Sequence, residues 1–71
     1  MTATTINTGA LIVGFISRVA ILRKEVLSLA ANTARNPKAT NNLVDGFNHL
    51  GHAITHLEWA LEEEAKHDKT N

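Results

Sequence analysis

Three histidines, a tryptophan and two carboxylates recur along one stretch of this chain. Asp45, His49, His52, His56, Trp59 and Glu63 are spaced 4-3-4-3-4, the interval that stacks side chains on one face of a helix. Imidazoles at i and i+4, as in His52 and His56, can share a metal ion, with His49 or Glu63 as a third ligand from the same face. No fixed acidic residue nearby completes a facial ligand set, so the expectation is that no metal is held. The simpler reading is a set of partly exposed histidines on a surface or an interface. Trp59 carries more information. It is the only tryptophan, and it stands beside His52, His56 and Glu63 rather than in the apolar seam. Tryptophan is enriched where proteins meet partners. His49, His52, His56, Trp59 and Glu63 are therefore the candidate partner-binding residues. Whether they meet another copy of the chain or a foreign protein is open at this stage.

Other chemistry is poorly represented. The chain has no cysteine and no tyrosine, which excludes disulfides, thiolate metal sites and a cysteine nucleophile. There is no glycine-rich phosphate loop and no nucleophile elbow. Glu62, Glu63 and Glu64 form an acidic run of the kind that usually makes a solvated face. Acid–base work by such groups would need a concave pocket, which a small hairpin supplies only between subunits. The chain is expected to be no enzyme and to need no cofactor.

These residues must be positioned by helices. Leu43, Phe47, Leu50, Ile54, Leu57 and Leu61 repeat at 4-3-4-3-4, on the side about 180° from the histidines. Earlier in the chain, Ile12, Phe15, Val19, Leu22, Val26 and Leu29 repeat at 3-4-3-4-3. Ile16, Ala20, Leu27 and Ala30 widen this first stripe beyond what one partner helix covers. The first helix is expected over about 9–35, capped by Thr8 or Asn7 after a flexible start, and ending before Asn36-Pro37. A loop over about 36–41 leads to a second helix over about 42–66, with Asn42 and Asp45 as its capping arrangement and Asp45 complementing the helix dipole. Gly46 and Gly51, each costing about 1 kcal/mol inside a helix, flank the seam and imply a close approach or a bend. The apolar run from Gly9 is interrupted by Arg18, too soon for the roughly twenty residues of a membrane span, and no basic region precedes it as in a signal peptide.

The chain therefore reads as one all-α domain over 1–71, a two-helix antiparallel hairpin. Aromatics are only 4% of it, so its core is aliphatic. Up to Asn41 the charged residues are Arg18, Arg23, Lys24, Arg35 and Lys38 against Glu25, a balance of +4; beyond it Asp45, Glu58, Glu62, Glu63, Glu64 and Asp68 against Lys66 and Lys69 give −4. Halves of opposite sign suit an intramolecular or self-associating pair and argue against nucleic acid as a partner. A hairpin leaves part of the wide first stripe wet, with Ile16, Ala20 and Leu27 the expected excess. Self-association into a four-helix bundle or higher oligomer removes that exposure, as in the Rop architecture. With no disulfides at this size, a cytoplasmic location is expected.

Ala53-Ile54-Thr55-His56-Leu57-Glu58-Trp59-Ala60 resembles the Ala-(Leu/Ile)-Thr-x-Leu-Glu-x-Ala core of hairpin-type phage anti-defence proteins, which oligomerise and sequester cyclic oligonucleotide immune signals. The resemblance covers eight residues and departs from the family pattern at Glu62-Glu63-Glu64. It implies a cyclic nucleotide ligand with Thr55 as a contact, and Arg18 and Arg23 as phosphate partners. In size and architecture the chain is also similar to small phage and plasmid helical-hairpin inhibitors of host regulators, quorum-sensing antiactivators among them. The expected function is a small homo-oligomeric binding protein that antagonises a host partner protein. A cyclic-oligonucleotide sponge is the alternative, and a Rop-like RNA-binding bundle a further one.

Overall fold

The computed structural model describes the backbone of residues 7–70 and the side chains of residues 7–67. Two helices make up the described chain, α1 over Thr8–Ala31 and α2 over Pro37–Thr70. They fold back on each other as an antiparallel hairpin measuring 59 × 22 × 12 Å. Its thinnest dimension is that of a single helix, so the hairpin is one layer thick. The expected flexible start lies mostly outside the described residues.

Local chemistry explains the helix ends. Asn7 caps α1, its side-chain oxygen accepting the Ala10 amide N–H at 2.9 Å, which satisfies one of the first-turn donors. The helix stops at Ala31, earlier than the expected 35. There the Asn32 amide bonds back to the Leu29 carbonyl at 2.9 Å, and the Thr33 hydroxyl donates to the Ala30 carbonyl at 2.8 Å. These bonds turn the chain before Asn36-Pro37 is reached. Pro37 does not sit in a loop. It is the first residue of α2, where its missing N–H costs nothing and its fixed φ suits the helix. Asn36 precedes it as the cap, its side-chain oxygen accepting the Ala39 amide at 3.3 Å. Asn42 and Asp45 are thus well inside α2, away from the positive end of its dipole. The turn is tied further by Thr40, whose hydroxyl lies 2.8 Å from the Thr33 carbonyl and 2.8 Å from the Thr33 hydroxyl.

The α2 seam lies where the spacing predicts. Leu43, Phe47, Leu50, Ile54, Leu57 and Leu61 are all half-buried against α1. On α1 the expected seam is partly corrected. Ile12, Val19 and Val26 do face α2, but the positions that follow each of them in the series are Ile16, Arg23 and Ala30. Phe15, Leu22 and Leu29 are 44%, 48% and 52% exposed. Ile16 and Ala20, the expected excess, are half-buried, whereas Leu27 is exposed. The reason is geometric: a wide apolar stripe contains two overlapping series with helical spacing, and both cannot face one partner. The series that packs includes Ala30, the one fully buried residue among those described, at 3% exposure. No helix among the described residues is long and apolar enough to cross a membrane.

Candidate interaction surfaces

Two surfaces hold the candidate residues. The first is the outer face of α2. Asp45, His49, His52, His56, Trp59 and Glu63 are all exposed, because the α2 seam turns the opposite side of the helix towards α1. Trp59 is 55% exposed. Its ring meets His56 edge-on, with centroids 5.0 Å apart, and His49 meets His52 in the same manner at 6.3 Å. Glu63 pairs with Lys66 at 3.2 Å; both side chains are wet, so the pair contributes well under about 1 kcal/mol. Among the described residues no group of three His, Cys, Asp or Glu side chains is placed to hold a metal ion. What this face offers is an exposed amphipathic ring with the His56 imidazole against it.

The second surface is an open groove of about 530 Å³ lined by Arg23, Asn48, Gly51, His52, Ile54 and Thr55. Arg23 dominates it. Its Nε donates to the Phe47 carbonyl at 3.1 Å, and its guanidinium lies 3.9 Å from the centroid of the Phe47 ring. This placement depends on Gly51. A Cβ there would stand 2.9 Å from Arg23 Nη2 and 3.1 Å from Nε, so the guanidinium would have to shift to make room for it. The close approach implied by Gly51 is therefore made by a guanidinium, not by a backbone. Gly46 has open space where its side chain would be. Thr55 donates its hydroxyl to the Gly51 carbonyl at 3.3 Å. No carboxylate pairs with Arg23 among the described residues, so its outward N–H groups and positive charge are available to an anion.

The structure brings Arg23 and Thr55 into one groove and leaves Arg18 out of it. Arg18 stands on the exposed stripe of α1 with its guanidinium 5.0 Å from the centroid of the Phe15 ring. The sequence reading missed Asn48 and Gly51 as groove residues. Asn48, Gly51 or His52, and Thr55 follow the same three-and-four spacing that defines a helix face, so the signal was present. His52 belongs to both surfaces, exposed on the outer face and lining the groove. No protein-family model, curated protein or solved structure matches this chain.

Proposed function

We propose that this chain is a small homo-oligomeric hairpin of the phage or mobile-element inhibitor type, working in the cytoplasm, that antagonises or modulates a host partner protein through the outer face of α2. The observation carrying this reading is Trp59. A large aromatic ring stands more than half exposed, flanked by His56, on the side of α2 that the hairpin cannot bury. Such a ring in water is a latent anchor, since burying it against a partner removes apolar area at roughly 25 cal/mol per Å². The test is capture from host lysate with the wild type and Trp59→Ala side by side. The expected result is a stoichiometric protein partner held by the wild type and lost with the variant. Equal capture by both would sink the assignment of this face.

A second reading has one specific observation in its favour. Arg23 and Thr55, the contacts implied by the resemblance to cyclic-oligonucleotide sponges, line the same groove with Asn48 and His52. An unpaired guanidinium with hydroxyl and amide neighbours suits a phosphodiester. Calorimetry with cyclic di- and trinucleotides tests it. Heat that disappears in Arg23→Ala supports the sponge, and no heat with any member of the set removes it.

A further inference from the structure

We propose that the outward stripe of α1, Leu11, Phe15, Arg18, Leu22, Glu25 and Leu29, is covered by the same stripe of a second copy, the two α1 helices running antiparallel across a two-fold axis. This deepens the self-association in the reading above by naming its surface and its direction. All six residues are exposed, and they are spaced 4-3-4-3-4 on one face. Only Ala30 is buried among the described residues, and a single helical layer has nothing to shield its broad sides.

Area and charge choose the occupant. The chain exposes 5650 Å², about 1,350 Å² more than the about 4,300 Å² expected of a compact monomer of this mass. That surplus is of the order that each partner contributes to a specific interface. The stripe is also complementary to its own reverse. Pairing Leu11 with Leu29 of the second copy in antiparallel register sets Phe15 opposite Glu25 and Arg18 opposite Leu22. The Arg18 guanidinium already lies over Phe15, where the carboxylate of the second copy's Glu25 arrives. Among the described residues neither Arg18 nor Glu25 has an ion-pair partner. A parallel arrangement would instead set Arg18 against Arg18 and Glu25 against Glu25, which like-charge repulsion disfavours. Isologous contact of this kind closes at two subunits or builds further through their remaining faces, and it leaves Trp59 outside.

Sedimentation across the micromolar range tests the proposal, with helicity followed by circular dichroism. The wild type is expected at twice the 7.7 kDa chain mass or a multiple of that dimer. Arg18→Glu and Glu25→Arg should each weaken the dimer about tenfold, and the double exchange should recover it to within about threefold, the signature of coupled charges. If a reversal costs helicity, Arg18→Gln and Glu25→Gln read the same coupling without repulsion. A wild-type monomer, a dimer indifferent to the charge exchanges, or a double variant no better than its parents would overturn the proposal. Partner capture through Trp59 is not read in this experiment, so the assignment of the α2 outer face stands or falls separately.

Discussion

Arg23 and Trp59 are the two residues on which the surface chemistry turns, and each makes a prediction of its own. The Gly51–Arg23 contact couples helix propensity to a hydrogen bond. Replacing Gly51 by Ala should gain about 1 kcal/mol of helix stability where nothing obstructs the methyl. With Arg23 in place the guanidinium must shift to admit the methyl, so Gly51→Ala should gain less than that. In an Arg23→Ala background the gain should return. Thermal unfolding of the four variants measures a coupling of about 1 kcal/mol, and additive effects would contradict the contact. Trp59→Ala should leave helicity close to wild type while weakening partner binding by about 2 kcal/mol or more; a variant that unfolds would place Trp59 in a core. The outer face was legible in the sequence because one seam fixes which side of α2 must point away. Arg23 was not legible as an interhelical clamp. A cation inside an apolar series reads as a flank residue, and its acceptor is a backbone carbonyl, which side-chain patterns do not reveal.

At the scale of elements, the hairpin is governed by its turn. By its sequence Asn36-Pro37 is a stop for the first helix, but in the fold the pair is the start of the second, with Asn as cap and Pro at the first helical position. Asn36→Ala should therefore cost about 1 kcal/mol. Asn42→Ala, at an exposed position inside α2, should be neutral or slightly stabilising on propensity grounds. Denaturant unfolding of the two variants distinguishes the two placements of the cap, and the reverse ranking would restore the later start. Thr40 makes a related prediction. Its hydroxyl is held by Thr33 from across the turn, so Thr40→Val should cost about 1 kcal/mol, measured in the same way. The existence, number and direction of the helices followed from periodicity alone. The α1 seam did not, since two overlapping series fit the same period and only packing against α2 separates them.

For the whole molecule the decisive property is thinness. A one-layer hairpin with a single buried residue among those described has little stability of its own, so its melting temperature should rise with protein concentration, as linkage to assembly requires. Leu57→Ala removes a half-buried contact between α1 and α2 and should destabilise at every concentration, by about 2 kcal/mol. Leu22→Ala, on the outward stripe, should act through assembly, so its effect should grow when the wild type is dimeric and fade on dilution. Melting curves over a dilution series check both, and equal, concentration-independent losses would contradict the division. The Arg23, Phe47 and Gly51 contact bears on a different question at this scale. Seams that repeat every seven residues carry little address, because sliding one helix by a heptad sets aliphatic against aliphatic again. Such a slide would carry Arg23 from Gly51 to Val44 or Glu58, and from Phe47 to Thr40 or Ile54, giving up the aromatic platform in either direction. The guanidinium, stacked on Phe47 and bonded to its carbonyl, is thus a mark of register that the aliphatic seams lack.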